Sequence, residues 1–176
     1  MEIRAPRFAP AIDSRGPEEY DVGMAVLVVY ESKRDRSREV ADAIADAAAD
    51  HNLSTLIRTI DETTPKQIAS AAAVVAGCTA AADVPFGHKP TRSIAQWING
   101  LDSLEGKPVG VFCAYKFFPH TFADTTVRVS ETLDKLSARF ELKSGKVTAA
   151  RWINLKSIDT DAAKLVDELA GNLPES

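Results

Sequence analysis

Apolar runs alternate with amphipathic stretches along most of the chain. The first run, residues 25–30, is continuously apolar, which is typical of a central parallel strand covered on both faces. In the stretch after it, Val40, Ile44 and Ala47 or Ala48 recur at helical spacing and would form one apolar face. Strand-like and helix-like segments alternate five times. This alternation predicts an α/β fold, a parallel sheet with helices on both faces.

Capping and turn residues predict the bounds of the other elements. Ser37 is a good N-cap residue, so the first helix should begin after it, and Asp159 or Thr160 should cap the last helix. Thr64-Pro65 should start a short second helix, since proline is tolerated in a first turn. The remaining strands are predicted at 53–59, 72–77, 109–114 and within 146–153, and the remaining helices at 91–98 and 125–139.

The first 23 residues differ from the rest of the chain. They contain Pro6, Pro10, Gly16 and Pro17, many charges and no sustained periodicity. This composition predicts a flexible or loosely docked N-terminal extension over 1–23, followed by one domain over 24–176.

Length and charge narrow the class of protein. The 176 residues suffice for one ordinary domain, and 45% hydrophobic with 26% charged residues is typical of a soluble globular protein. The net charge of −4 argues against a general nucleic-acid binder. No apolar run approaches the roughly 20 residues that span a bilayer. The first residues also lack the apolar centre of a secretory signal, so we expect a cytoplasmic protein that does not enter the membrane.

Three loops should meet where the parallel strands end, which is where ligands bind in such sheets. They cover residues 31–37, 78–90 and 115–124. The first loop leads into a helix, whose free N–H groups and dipole attract anions. Its hydroxyl and basic residues are Ser32, Lys33, Arg34, Arg36 and Ser37. These residues predict an anion site, although the same charges would also suit a solvated loop.

The cysteines and histidines indicate little chemistry of their own. Cys78 and Cys113 should lie at or near the carboxyl ends of neighbouring strands, where buried thiols that pack as small hydrophobic groups are commoner than a redox pair. His51, His88 and His120 do not match the spacing of metal ligands. A Gly-x-Ser-x-Gly nucleophile motif is also missing from the sequence.

Four segments make residues 24–173 similar to flavodoxin-like proteins. They are the strand, loop and helix of 28–45, Val74-Val-Ala-Gly-Cys-Thr79, Lys89-Pro-Thr-Arg92 and Gly106-Lys-Pro-Val-Gly-Val-Phe112. The resemblance implies a five-stranded sheet in the order 2-1-3-4-5 with FMN held by the three loops. The implied phosphate-binding residues are Ser32, Lys33, Arg34, Asp35, Arg36 and Ser37. The residues implied to flank the isoalloxazine ring are Cys78, Thr79 and Ala80 on one side and Tyr115, Lys116 and Phe117 on the other.

The first loop also resembles that of NADPH-dependent FMN reductases. Ser32, Arg34 and Ser37 fit their Ser-x-Arg-x-x-Ser pattern, and Glu31 stands where they have glycine. The resemblances imply an FMN-binding protein that serves in electron transfer or as a small flavin oxidoreductase, with a redox partner protein or a nicotinamide donor. The alternative is a flavin-free binding or regulatory module on the same fold, which the missing glycine favours.

Overall fold

The structure is a computed structural model that describes residues 25–31, 35–79, 92–104, 106–115 and 122–173. The predicted N-terminal extension lies outside these described residues. Each of the five predicted strands and five predicted helices has a counterpart within them, and only Thr91 of the predicted helix 91–98 lies outside.

One sheet of five parallel strands forms the centre of the molecule, in the order β2-β1-β3-β4-β5. The strands are β1 (Ala25–Tyr30), β2 (Ser54–Thr59), β3 (Ala73–Thr79), β4 (Val109–Tyr115) and β5 (Ala149–Asn154). β3 is buried along its whole length, as a central strand covered on both faces should be. The predicted parallel sheet and its strand order are confirmed.

Five helices connect the strands. They are α1 (Asp35–Asp50), α2 (Pro65–Ser70), α3 (Arg92–Gly100), α4 (Phe122–Ser144) and α5 (Ile158–Ala170). Thr64 caps α2 through a capping box with Gln67, so the predicted start of this helix is confirmed. α4 continues past the predicted end at 139 because Phe140 extends its buried stripe, and the chain leaves the helix at Gly145, whose φ is +77°.

Two predicted caps are wrong. α1 begins at Asp35, which makes Ser37 its third residue. The side chain of Ser37 forms a hydrogen bond with Thr79 of β3 and does not cap its own helix. α5 begins at Ile158 after Ser157, so Asp159 lies in its first turn. Acidic residues in the first turn stabilise a helix through its dipole. Asp159 therefore stabilises the start of α5 without being its N-cap residue.

The sheet divides the core into two apolar layers. Ile44 of α1 and Leu165 of α5 are fully buried against one face of the sheet. Ile98 of α3 and Phe140 of α4 are fully buried against the other face. Helices therefore cover both faces, as predicted.

Lysine side chains close helix ends at the amino-terminal edge of the sheet. Lys107 Nζ donates to the carbonyl of Ala69 in the last turn of α2, over 3.1 Å. Lys143 Nζ donates to the carbonyls of Asn99 and Leu101 at the end of α3, over 3.0 and 2.7 Å. The carbonyls of Ala69 and Asn99 lie in last helical turns, where backbone carbonyls have no partner within the helix, so these bonds satisfy them.

Candidate functional site

The candidate site is the carboxyl-terminal edge of the sheet, where strands β1, β3 and β4 end side by side. Tyr30 of β1 pairs with Gly77 of β3, and Thr79 pairs with Ala114 of β4. The three predicted ligand-binding loops follow these strand ends. Among their candidate residues, those that lie outside the described part of the chain are Ser32, Lys33, Arg34, Ala80, Lys116 and Phe117.

A buried hydrogen bond joins α1 to the end of β3. The Oγ of Ser37 lies 2.8 Å from the Oγ1 of Thr79, 42 residues away, and neither side chain is more than 7% exposed. The two residues were predicted in different loops, and the structure brings them together. Because Ser37 is the third residue of α1, this bond fixes the first turn of the helix beside the central strand.

The first turn of α1 carries exposed positive charge. Its side chains include Arg36 and Arg38, both exposed. Arg38 makes a long hydrogen bond of 3.5 Å to the hydroxyl of Tyr30 and lies 3.4 Å from Asp42. The contact with Tyr30 raises the pKa of Arg38, with a smaller contribution from Asp42. Permanent charge and the positive end of the helix dipole therefore coincide directly after β1.

Glu31 is the first residue after β1, and it is buried. Only 4% of it is exposed, and Ser93 Oγ donates a hydrogen bond to its Oε1. Ser93 is the second residue of α3, a helix with no acidic residue in its own first turn. The carboxylate of Glu31 therefore lies at the amino end of α3, on the opposite face of the sheet from α1. Sequence reasoning missed this contact; its only local signal is an acidic residue directly after an apolar strand.

An aromatic pair lies at the ends of β4 and β5. The rings of Tyr115 and Trp152 are stacked, with centroids 5.8 Å apart and planes at 29°. Tyr115 was predicted to open the third loop, but the ladder to Asn154 makes it the last residue of β4. Partial burial raises the pKa of Tyr115, and the charge of Asp161 adds to this effect, while a hydrogen bond with Asn154 opposes it.

Trp152 is a residue of this edge that sequence reasoning missed. It lies in the edge strand β5 and is 40% exposed, although it is a large apolar side chain. The alternation of faces along a strand could have indicated it. Ala149 and Ile153 share one face and are buried, so Trp152, next to Ile153, lies on the other face. Trp152 covers one face of the Tyr115 ring, so a flat ligand would reach only the other face.

The two cysteines lie side by side in the sheet. Cys78 and Cys113 are register partners in β3 and β4, which confirms that they neighbour one another, and both are buried and form no disulfide bond. Cys78 was predicted to open the second loop, but β3 continues through Thr79 because its ladder with β4 continues. Both sulfur atoms belong to the apolar layer beneath α3 and α4, where they pack as small hydrophobic groups.

The described ranges contain neither a metal-binding cluster nor a membrane-spanning helix. No group of three or more His, Cys, Asp or Glu side chains there is arranged to hold a metal ion. Among the helices of those ranges, none is both long enough and apolar enough to cross a membrane.

Comparisons with known proteins find similar structures but no similar sequences. No family model matches the sequence, and no curated protein matches it significantly. A flavodoxin of Streptococcus pneumoniae TIGR4 is 16% identical with a TM-score of 0.61, over 85% of this chain and 99% of that chain. The two-electron reduced flavodoxin of Megasphaera elsdenii is 19% identical with a TM-score of 0.63, over 83% and 98%.

A larger protein contains a similar unit. The flavodiiron protein of Giardia intestinalis is 16% identical with a TM-score of 0.53, over 85% of this chain but only 38% of that chain. The likeness therefore covers one part of that protein and nearly the whole of the two flavodoxins. The strand order, the layers and these similar structures together show that the chain has the flavodoxin-like fold.

Proposed function

We propose that the chain binds FMN without a covalent bond at the carboxyl-terminal edge of its sheet. In this proposal it serves in electron transfer or as a small flavin oxidoreductase. The observation that carries the proposal is the first turn of α1, which Ser37 and Thr79 fasten beside the central strands and which presents Arg36 and Arg38 to solvent. An anion at this position meets free backbone N–H groups, the helix dipole and two guanidinium groups. The similar flavodoxin of Megasphaera elsdenii is described in a two-electron reduced state, which is consistent with a redox role.

The phosphate of FMN would lie at the amino end of α1. The residues proposed to surround it are Ser32, Lys33, Arg34, Asp35, Arg36 and Ser37. Ser37 would act mainly through position, because its hydroxyl already has Thr79 as a partner and its backbone lies in the first turn. The exposed Arg36 is free to turn toward the anion.

The flavin ring would extend across the neighbouring strand ends. The residues proposed to flank it are Cys78, Thr79 and Ala80 on one side and Tyr115, Lys116 and Phe117 on the other. Since adjacent strands lie roughly 4.8 Å apart, the ends of β1 and β4 are about 10 Å apart, with β3 between them. A ligand with an anion at one end and a planar ring at the other fits this arrangement, with the proposed phosphate position after β1 and the proposed ring position at the end of β4. The ring face of Tyr115 that Trp152 leaves open is the one that would contact the flavin.

FMN supplies the chemistry when it is bound, and the chain supplies binding, orientation and the surroundings that tune the redox potential. The electron would come from a redox partner protein or a nicotinamide donor. The two buried thiols form no disulfide bond, which fits a reducing compartment, so we propose that the protein works in the cytoplasm.

One observation favours the alternative, a binding or regulatory module that has lost the flavin. Glu31 places a buried carboxylate at the start of the loop that would surround the phosphate. This buried side chain stands where the loops of FMN reductases have glycine, so the module without flavin is the second candidate.

The first experiment is a visible absorbance spectrum of the purified protein, followed by titrations with FMN and riboflavin read by quenching of flavin fluorescence. A bound flavin spectrum or saturable quenching supports the proposal. Without a flavin spectrum and without quenching at high flavin concentration, the proposal fails and the flavin-free module replaces it.

The phosphate position needs a matched pair of variants. Arg36→Ala should weaken FMN binding by about 3- to 10-fold and leave riboflavin binding unchanged, because riboflavin has no phosphate. Lys164→Ala removes an equally exposed positive charge from α5 and should change neither affinity. Equal losses for Arg36→Ala and Lys164→Ala would place the phosphate elsewhere.

A further inference from the structure

A cavity of about 110 Å³ lies at the amino-terminal edge of the sheet, opposite the edge proposed for the flavin. One wall comes from α2, and the other comes from the end of α3 and the connection to β4. Pro65, Ile68, Leu101 and Leu104 give the cavity a mainly apolar lining. The strands between the two edges are six or seven residues long, so the cavity lies roughly 20 Å from the proposed flavin site.

Hydrogen bonds within the chain hold the walls of the cavity. Leu101 and Leu104 are buried in the apolar layer beneath α3 and α4. The backbone N–H of Leu104 donates to the carbonyl of Lys143 in α4 over 2.7 Å, and that of Lys107 donates to the carbonyl of Leu104 over 2.9 Å. The connection before β4 is therefore tied to α4 and to itself, so a ligand would find the cavity already formed.

Lys107 brings a positive charge to this apolar lining. Its Nζ donates to the carbonyls of Ala69 and Ala71, which uses two of the three donors of an ammonium group. Within the part of the chain that the structure describes, no acceptor takes the third donor. Burial lowers the pKa of Lys107, and no described carboxylate counteracts this effect; Asp102 also lines the cavity, but it is exposed to water. A half-buried ammonium in such surroundings gains most from an anion.

We propose that this cavity binds a small carboxylic acid with an apolar body of about four carbons. The apolar side chains would hold the body, and the third N–H of the Lys107 ammonium would donate to the carboxylate. A cavity of roughly 150 Å³ holds benzene, so the present volume suits a short aliphatic chain. The charge of Lys107 determines the class of ligand, because an amine would meet a like charge and a neutral group would accept a weaker hydrogen bond.

The test is a titration of isotope-labelled protein with four small probes, followed by the NMR chemical shifts of backbone amides. Pentanoate should cause saturable shifts at residues 66–69 and 100–104. It should bind roughly 10- to 50-fold more tightly than acetate, which lacks three of its methylene groups. It should bind about 3- to 10-fold more tightly than pentanamide, which has the same body without the charge. Butylammonium should bind more weakly than pentanamide, because its charge repels that of Lys107.

Two lysine variants separate contact with the ligand from the capping of a helix. Lys107→Met keeps an aliphatic side chain and removes the charge, so it should bind pentanoate no more tightly than pentanamide. Lys143→Met is the matched control, because Lys143 also donates to carbonyls at a helix end but does not line the cavity. This control should keep the wild-type ratio of the two affinities. The four probes also test the proposal on wild-type protein alone, should Lys107→Met fail to fold.

Three results would overturn the proposal. Equal affinities of the wild type for pentanoate and pentanamide would remove the role of Lys107 and the ligand class with it. Equal affinities for pentanoate and acetate, or shifts that avoid residues 66–69 and 100–104, would exclude an apolar body in the cavity. Equal loss of the preference for pentanoate in both lysine variants would exclude a specific contact with Lys107. None of these results depends on FMN, so the flavin proposal is tested separately.

Discussion

Replacing Gly77 with alanine should strain the centre of the sheet. Gly77 lies in β3 opposite Phe112 of β4. A Cβ built on Gly77 would lie 2.1 Å from the carbonyl oxygen of Phe112 and 2.5 Å from its Cγ. The nearest atom belongs to the backbone, so a new rotamer of Phe112 cannot relieve the clash. One of the two strands must move, and β3 is the strand that carries Thr79 to the candidate site.

The magnitude follows from the balance of two terms. Overpacking a buried site costs about 1–3 kcal/mol and occasionally more. The smaller entropy loss of alanine on folding offsets about 0.5–1 kcal/mol of this cost. Because Phe112 is fully buried and the contact is with backbone, we expect a net loss near 2 kcal/mol or above. At about 2–4 °C per kcal/mol for a chain of this size, the melting temperature should fall by roughly 4–8 °C.

Urea and thermal unfolding followed by circular dichroism measure this loss, with two glycines as controls. A Cβ on Gly110 would lie 3.1 Å from Cγ2 of Val75, a side chain that can yield, so Gly110→Ala should cost less. A Cβ on Gly100 meets nothing within 4 Å, so Gly100→Ala should be neutral or stabilising by up to about 1 kcal/mol. A Gly77→Ala protein as stable as wild type would refute the reasoning. Full rescue by Phe112→Leu would show that the ring, and not the backbone, is the obstacle.

Three further predictions concern other contacts. Ser37→Ala should cost about 1–3 kcal/mol in urea unfolding because it leaves the buried hydroxyl of Thr79 without its partner, and adding Thr79→Val should recover part of this. Burial raises the pKa of Tyr115 above 10.0, so stability should fall as the pH rises above that value, less so in Tyr115→Phe. Burial lowers the pKa of Lys107 below 10.5, so the unfolded state binds more protons and stability should rise as the pH approaches 10.5; Lys107→Met should lose this slope in unfolding curves.

The sheet could be predicted because its signal is local. Strands β1, β3 and β4 are continuously apolar, and the helices between them carry apolar faces, so element type and strand order followed from the sequence and the resemblance. For β5 the sequence predicted only that a strand lies within 146–153, without its bounds. As an edge strand it includes exposed Ala150 and Trp152, which makes its apolar pattern incomplete.

The contacts of the candidate site depend on long-range pairs that local patterns do not contain. Ser37 looked like a helix cap until Thr79, distant in sequence, proved to be its partner. Glu31 looked like a loop residue in place of a glycine, and its hydrogen-bond donor Ser93 is 62 residues away. The predicted start of α1 was wrong for the same reason. The hydroxyl of Ser37 bonds to Thr79 of β3 and does not cap α1, which begins two residues earlier at Asp35.

The sheet gives the two ends of the proposed ligand separate surroundings. Arg36 lies exposed in the first turn of α1 at one end, while Tyr115 packs against Trp152 and the layer of α3 and α4 at the other. Substitutions that share no partner usually have additive effects on free energy. Evolution or design can therefore change the contacts with the proposed phosphate group and the contacts with the proposed flavin ring independently. In the proposed flavin site, a change of ligand preference therefore need not alter the redox potential of the flavin, and a change of that potential need not alter the preferred ligand.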